Sequence, residues 1–490
     1  MRRSGILLAV SSLPSKYGIG TFSKEAYEFV DFLEKSGQKL WQILPLGPTG
    51  YGDSPYQSFS TFAGNPYYID LEEFVEKGYL TEEECLEGVC EDEAYVDYEK
   101  IFFTRFKLLK KAYKQSNIAA DEDYQKFVKD NAAWLNDYAL YMAIKDSLGG
   151  ISWLEWDRDI KIRTKDAMEK YQKDLHDEVE FYCFQQYYFA KQWSALKKYA
   201  NKKDIKIVGD IPIYVALDSA DTWANPKQFQ LDEECIPVAV AGCPPDSFSA
   251  TGQLWGNPLY KWDYIKETGY EWWIERIRYC YELYDIVRID HFRGFDEYYS
   301  IPYGDPTAEF GHWEQGPGYD LFDAIKKKLG KIEVIAEDLG FLTPSVIKLV
   351  KKTGYPGMKI LQFAFDSREE SDYLPHNYPN NCIVYTGTHD NDTTVNWYNT
   401  IPRKDKIFAN RYLEISSAKK ACRKMVRAAL GSVADTAVIP MQDYLELGGE
   451  ARMNVPSTLG TNWKWRLTEG QLTEELSKDI YSLTKLYGRL

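Results

Sequence analysis

The sequence predicts an α/β protein, a (β/α)8 TIM barrel with inserted, mainly helical subdomains. Eight short apolar runs rich in branched residues recur along the 490 residues, and segments with helical periodicity separate most of them. The runs are continuous rather than alternating, which is typical of parallel strands buried on both faces. Eight alternations of strand and helix fit a barrel, and a doubly wound sheet is the alternative fold.

The elements follow in order along the chain. The predicted strands are 5–13, 39–46, 205–215, 284–292, 332–340, 358–365, 382–391 and 436–445. The clearest predicted helices are 23–37, 271–284, 321–330 and 343–354. In the last of these, Thr343 and Pro344 indicate an N-cap followed by a first-turn proline, and Gly354 indicates the end.

Two long spacings interrupt this alternation. Between the second and third runs the sequence turns helical, and we expect an inserted helical subdomain at 70–200 within a single catalytic barrel spanning 1–490. Residues 216–270 are rich in Gly, Pro, Ser and Asn and contain Trp255 and Trp262. Because long loops in compact domains are usually functional or disordered, we predict an inserted active-site loop region here.

Composition limits the classes of function. A net charge of −15 argues against nucleic acid and anionic membranes as partners, since both require basic patches, and is compatible with a neutral substrate. The 38 Tyr and 14 Trp suit a sugar-binding cleft, where aromatic rings stack on the apolar faces of pyranose rings.

The expected compartment is the cytoplasm. Eight cysteines are scattered without a C-x-x-C pair, as is typical of reduced thiols. The short apolar run at residues 6–10 is interpreted as a buried strand rather than a signal peptide. No run approaches the ~20 apolar residues of a membrane helix.

Polar residues stand at the ends of several predicted strands, where barrel enzymes carry their chemistry. These residues are Asp210, Arg288, Asp290, His291, Glu337, Asp338, His389, Asp390 and Asp392. Three carboxylates that converge in a pocket suggest glycosyl transfer, because the retaining mechanism needs one carboxylate as nucleophile and one carboxyl as proton donor.

The local context suggests a role for each group. Arg288 lies two residues before Asp290 and therefore on the same face of the strand. A guanidinium beside a carboxylate keeps it ionised, as a nucleophile requires. Glu337 follows an apolar run, and an apolar setting would raise its pKa and suit it to act as acid and then as base.

Six stretches together resemble a known family. They are "SPYQSFSTFAGNP", "VGDIPIYV", "PPDSFSATGQLWGNPLY", "VRIDHFRGF", "AEDLG" and "TGTHDNDT". They are similar to the 4-α-glucanotransferases, or amylomaltases, of glycoside hydrolase family 77 in the α-amylase clan. The resemblance extends to "ARMNVPSTLGTNWKWR" near the end, where Pro456-Ser457 departs from a commoner Pro-Gly form. It implies retaining transfer of an α-1,4-glucan segment to the 4-hydroxyl of a glucose or maltooligosaccharide.

The resemblance also implies residue roles. Asp290 matches the nucleophile that holds a glucosyl ester, Glu337 the general acid/base, and Asp390 the carboxylate that stabilises the transition state. The implied substrate-binding residues are Ser54, Tyr56 and Gln57 around a stacking aromatic, Asp210, Arg288 and His389 around the central glucose, and Gln253 and Trp255 in a lid loop. A lid that excludes water would favour transfer over hydrolysis.

The expected partners are α-1,4-glucans and maltooligosaccharides, with no nucleic acid, no membrane, and a monomer or weak homodimer. No cofactor and no metal is expected, since no spacing places three metal ligands on one element.

Alternatives remain open at this stage. Asp290 could be a structural partner of Arg288 in the barrel wall, Glu337 and Asp338 could be an acidic pair before a helix, and Tyr56 could be core packing. An α-amylase-type hydrolase and a non-catalytic glucan-binding protein are the rival functions.

Overall fold

The structure is a computed structural model that describes residues 2–50, 52–245, 249–340 and 342–490. In chain order its strands are β1 (Arg3–Leu7), β2 (Leu40–Gln42), β3 (Lys206–Pro212), β4 (Ala239–Cys243), β5 (Gln253–Pro258), β6 (Ile286–Asp290), β7 (Glu297–Pro302), β8 (His312–Gln315), β9 (Val334–Ala336), β10 (Gly357–Ile360), β11 (Cys382–Tyr385) and β12 (Thr436–Pro440).

The predicted barrel is confirmed. Eight strands form one parallel sheet in the order β10-β11-β12-β1-β2-β3-β6-β9, and each overlaps one of the eight predicted runs. Their apolar side chains are almost fully buried, as in β12, where all five residues are buried. The continuous runs therefore arise because a barrel strand has the packed interior on one face and helices on the other.

The sheet closes at a seam between β9 and β10. The Ala336 N–H donates to the Pro356 carbonyl at 3.0 Å, and the Met358 N–H donates to a carboxylate oxygen of Asp338 at 2.7 Å. A Cβ atom at Gly357 would lie 2.2 Å from that carboxylate, so only glycine leaves room for it. A side chain thus replaces part of the strand ladder where the barrel closes.

Helices surround the barrel and form the first insertion. In chain order they are α1 (Lys24–Lys35), α2 (Glu72–Glu76), α3 (Glu82–Leu86), α4 (Tyr98–Gln115), α5 (Glu122–Asp130), α6 (Ala132–Ser147), α7 (Arg158–Lys161), α8 (Lys165–Asp174), α9 (His176–Lys202), α10 (Ala220–Ala224), α11 (Trp262–Glu267), α12 (Glu271–Leu283), α13 (Tyr319–Leu329), α14 (Pro344–Thr353), α15 (Thr394–Thr400), α16 (Arg403–Leu413), α17 (Ala421–Gly431), α18 (Met441–Tyr444) and α19 (Glu474–Leu486).

Helix α14 shows how the local signals work. The Thr343 side chain accepts from the Val346 N–H, Pro344 occupies the first turn, and Gly354 ends the helix with φ of 74°. Helices α2 to α9 lie between β2 and β3. The assignment of 70–200 as a separate subdomain stays a prediction.

Residues 216–270 differ from the loop that their composition suggests. They contain α10, α11, β4 and β5, and β4 and β5 join β7 and β8 in an antiparallel sheet of order β5-β4-β7-β8. Glycine is required in β4 because a Cβ at Gly242 would lie 2.2 Å from the Gln253 carbonyl oxygen of the neighbouring strand. Such glycines interrupt the apolar pattern that would otherwise predict a strand. Residues 246–248 of this predicted loop region lie outside the described residues.

The loop after β2 is fixed by both insertions. Helix α9 contributes Gln186, whose side-chain amide accepts from the Gly64 N–H at 2.7 Å and donates to the Gly64 carbonyl at 2.8 Å. Helix α10 contributes Asp221, which accepts from the Thr61 N–H at 2.7 Å. This loop carries Tyr56, so the insertions hold one edge of the barrel mouth. Within the described part of the chain, every helix is too short or too polar to cross a membrane.

Candidate active site

The polar residues predicted at the strand ends gather at one mouth of the barrel. In the register of β3 and β6, Asp210 lies opposite Arg288, and two residues on from Arg288 along β6 comes Asp290. In the register of β6 and β9, Ile289 pairs with Ala336, so the next residues, Asp290 and Glu337, follow side by side. The parallel register itself therefore assembles the group.

Arg288 is the centre of this arrangement. It is only 2% exposed, and its Nη1 donates to both oxygens of Asp210 at 2.7 and 2.6 Å. Its Nη2 donates to Oδ1 of Asp290 at 3.0 Å, and its Nε donates to Sδ of Met358 at 3.4 Å. Each guanidinium nitrogen has a partner, as a buried charge requires.

Tyr56 connects this ion pair to the opposite side of the mouth. Its hydroxyl donates to Oδ2 of Asp210 at 2.8 Å and lies 2.9 Å from Nε2 of His389. The rings of Tyr56 and His389 stack, with centroids 5.3 Å apart, and the Trp463 ring lies 5.9 Å from both. The Tyr56 ring thus packs against the edge of the hydrophobic core while its hydroxyl is held in the polar network.

Glu337 is held by two backbone donors. Its Oε2 accepts from the His291 N–H at 2.7 Å and its Oε1 from the Leu339 N–H at 2.9 Å. His291 has φ of 55°, a left-handed conformation that few residues other than glycine adopt. The strained turn after β6 thus points an amide at the carboxyl group of the neighbouring strand.

Burial raises the pKa values of both Glu337 and Asp290. Desolvation raises the pKa of Glu337 to about 7, and the Asp290 charge adds to the rise against Arg288 and the two amides. Desolvation also raises the pKa of Asp290 to about 6, although Arg288 opposes it. Arg288 alone was expected to keep Asp290 ionised, but burial and the Asp210 and Asp390 charges outweigh it. Glu337 still holds a proton more readily than Asp290.

Asp390 behaves in the opposite way. Its Oδ2 lies 3.2 Å from Nε2 of His389, and its Oδ1 accepts from Nδ2 of Asn454 at 2.6 Å. Burial alone would raise the pKa of Asp390, but His389, Asn454 and Arg288 together hold it well below its usual range. Against the opposing effect of burial, Asp390 raises the pKa of His389, so the pair favours an imidazolium beside a carboxylate. Asp390 is 42% exposed, so it keeps a face toward the cleft.

The remaining predicted residues border the same mouth. The Trp255 ring packs edge-on against the His291 ring with centroids 4.9 Å apart, and its indole N–H donates to Oε1 of Gln253 at 3.0 Å. Oγ of Ser54 accepts from the Tyr56 N–H at 3.3 Å. Gln57 is exposed and donates to Asn257 at 3.3 Å, so it connects the loop after β2 to β5.

Two of the polar residues at the strand ends have structural partners instead. Asp338 accepts the Met358 N–H at the barrel seam. At the start of α15, Asp392 accepts from the Thr393 N–H at 2.8 Å and from Nδ2 of Asn396 at 2.7 Å. Alternation of short polar residues at a strand end does not distinguish these carboxylates from those that face the cleft.

Sequence reasoning missed Asn454, Trp463 and Met358. Asn454 and Trp463 lie in the "ARMNVPSTLGTNWKWR" stretch, whose Asn and Trp residues in a loop-like setting were the available signal. Met358 gave no signal, because an apolar residue in a strand predicts packing and not a hydrogen bond.

Comparisons with known proteins identify the family and the fold. The family model described as 4-alpha-glucanotransferase, glycoside hydrolase family 77, matches residues 8–473. A 4-alpha-glucanotransferase of Clostridium butyricum is 52% identical over 98% of this chain and 99% of its own. One of Thermus thermophilus is 46% identical over 100% and 99%. The structure of an amylomaltase from Streptococcus agalactiae in complex with acarbose superposes with a TM-score of 0.96 at 42% identity, covering 100% of both chains.

The Asp210–Arg288 pair predicts an unequal response to one substitution at two places. Asp210→Asn leaves the buried guanidinium without its main counter-charge and should lower the free energy of unfolding by about 3–5 kcal/mol. Asp204→Asn breaks the pair of Asp204 with Lys39, whose side chains are 85% and 37% exposed, and should change it by less than about 1 kcal/mol. Denaturant or thermal unfolding measures both, and equal effects would contradict the central place given to Arg288.

Proposed function

The chain belongs to the 4-alpha-glucanotransferase family, and we propose that it transfers a segment of an α-1,4-glucan to the 4-hydroxyl of an acceptor glucose or maltooligosaccharide through a covalent ester on Asp290. The observation that carries the mechanism is that Asp290, bound to Arg288, lies beside Glu337, which directly follows the adjacent strand β9 and has the higher pKa of the two. One ionised and one protonated carboxyl group is what retaining transfer needs.

In the first half-reaction Asp290 attacks the anomeric carbon. Arg288 holds Oδ1, which leaves Oδ2 as the attacking atom. As the bond from this oxygen to the anomeric carbon forms, the glycosidic bond breaks. Glu337 gives its proton to the leaving 4-oxygen, and the shorter glucan departs with a free hydroxyl.

In the second half-reaction the steps reverse with a new sugar. Glu337, now a carboxylate, takes the proton of the acceptor 4-hydroxyl while that oxygen attacks the anomeric carbon. The ester bond breaks, Asp290 regains its charge, and the two displacements together retain the α configuration. The two amides that bind Glu337 hold the group in place through both of its roles.

Asp390 acts on the charge that develops between these steps. The sugar ring gains positive character in the transition state, and a carboxylate that stays ionised stabilises it. His389 and Asn454 keep Asp390 ionised and oriented. Tyr56 joins this side of the site to Asp210, so hydrogen bonds connect the two halves of the network.

We propose α-1,4-glucans and maltooligosaccharides as the substrates, in keeping with the family. The Streptococcus agalactiae relative binds acarbose, and we expect the same cleft of this chain to bind it. Whether transfer or hydrolysis follows the ester depends on which hydroxyl reaches it first. Trp255 borders the turn after Asp290 and is the group proposed to exclude water.

Incubation with maltotriose tests both the transfer reaction and the role of Asp290 as nucleophile. The protein should give glucose together with a ladder of shorter and longer oligomers, whereas a hydrolase gives shorter products only. Asp290→Asn removes the attacking carboxylate and should lower kcat by about 10³-fold or more. Asp204→Asn serves as the control with unchanged products, and an active Asp290→Asn protein would rule out the ester.

The pH dependence tests the two protonation states. Below about pH 6 Asp290 gains a proton and loses its nucleophilicity. Above about pH 7 Glu337 loses the proton that it must donate. A plot of kcat/KM against pH should therefore be bell-shaped and narrow. With α-glucosyl fluoride as donor the leaving group needs no acid, so Glu337→Gln should still form the ester without the alkaline decline. An alkaline decline that survives in Glu337→Gln would assign the acid to another group.

The water-excluding role of Trp255 is tested by partitioning. Trp255→Ala opens the turn beside His291, and the ratio of hydrolysis to transfer from maltotriose should rise several-fold, by about 1 kcal/mol of lost discrimination. Trp255→Phe keeps an aromatic ring there and should stay near the original ratio. An unchanged ratio in Trp255→Ala would show that this ring does not control access of water.

A further inference from the structure

We propose that Met358 is a positioning residue for the nucleophile: its thioether sulfur accepts the Nε–H of Arg288 and thereby fixes the guanidinium that binds Asp290. The inference rests on the proposed role of Asp290 and adds to it a residue that lies buried in the barrel wall.

The first argument is the completeness of the partners of Arg288. Its two terminal nitrogens are engaged by Asp210 and Asp290, which leaves Nε, and Sδ of Met358 lies 3.4 Å from it. Arg288 is 2% exposed and Met358 is 1% exposed. A buried N–H without an acceptor is costly, and even the weak acceptor that a thioether provides offsets part of that cost.

The second argument is that the sulfur is itself held in place. The backbone of Met358 donates to Asp338 at 2.7 Å, across the seam where the sheet closes, and Gly357 leaves room for that carboxylate. Asp338 directly follows Glu337, whose own carboxyl group binds the amides of His291 and Leu339. One short acidic turn therefore sets the position of the general acid/base and of the sulfur that braces Arg288.

The third argument separates this role from packing. Leucine has nearly the volume of methionine but no lone pair, so Met358→Leu would keep the core filled and leave Nε–H without an acceptor. A guanidinium held at two nitrogens instead of three can turn away from Asp290. Asp290 would then lose part of its interaction with Arg288, the larger of the two positive charges that oppose its protonation.

The charges around Asp290 determine the direction in which its pKa changes when Arg288 turns away. The charged and titratable groups that act on Asp290 or share its network are Arg288, Asp210, Glu337, Tyr56, His389 and Asp390. Among them Asp210 and Asp390 favour protonation of Asp290, while Arg288 and His389 disfavour it. A weaker contact with Arg288 must therefore raise the pKa of Asp290 and move the acid side of the pH profile to higher pH.

The experiment compares three variants of the full chain by the pH dependence of kcat/KM on maltotriose. Met358→Leu should shift the acid limb, the rise of kcat/KM on the acid side of the profile, to higher pH by about half a unit. At a given pH on that limb, kcat/KM should fall about threefold. Met358→Gln supplies an amide oxygen at a similar reach and should restore the limb. Met425→Leu, at a fully buried methionine of α17 outside the barrel mouth, is the matched control and should leave the limb in place.

Each outcome decides the proposal. An acid limb that is the same in Met358→Leu and Met425→Leu would reduce Met358 to packing and overturn it. If Met358→Leu is not recovered folded, Met358→Gln decides alone: a retained limb supports the hydrogen bond and a shifted limb overturns it. Failure of the proposed function is recognised by a different result, because Asp290→Asn would then be active whatever the Met358 variants do.

Discussion

The fold and the chemistry of this protein depend on one buried cation. Arg288 lies inside the barrel mouth between Asp210 and Asp290, where an unpaired guanidinium would be prohibitively costly. Its cost is offset only while the carboxylates stay within hydrogen-bond distance. Strands β3 and β6 therefore have to keep the register that sets Asp210 opposite Arg288. A slip of one residue would turn the charges to the helix-facing side of the sheet.

The same constraint reaches the parts of the chain that are far apart in sequence. Asp210 binds the hydroxyl of Tyr56, Tyr56 contacts His389, and His389 contacts Asp390. The loop that carries Tyr56 is fixed in turn by α9 and α10, the helical additions to the barrel. The insertions thus serve the polar network at the mouth, because a loop of this length could not hold an aromatic hydroxyl in one place by itself.

The sequence predicts those parts of the fold and of the site that leave a local pattern of apolar or charged residues. The eight barrel strands were found because burial on both faces leaves continuous apolar runs, and the charged residues at their ends stood out against those runs. Strands β4 and β5 were missed because Gly242 and its neighbours are there for close backbone approach, which composition reads as a loop. Asn454 and Met358 were missed because their roles exist only in three dimensions: one amide reaches a carboxylate 64 residues away and one sulfur meets a guanidinium 70 residues away.

The three carboxyl groups at the mouth illustrate how neighbouring positions in one site produce three different proton affinities. Desolvation is the largest influence on each and raises the pKa of all three. What differs is the number and sign of their partners. Asp390 has the His389 imidazole and the Asn454 amide, Asp290 shares Arg288 with a second carboxylate, and Glu337 has two backbone amides and the Asp290 charge beside it. Decreasing positive charge gives increasing proton affinity in that order, which is the order that the proposed roles of stabilising anion, nucleophile and acid require.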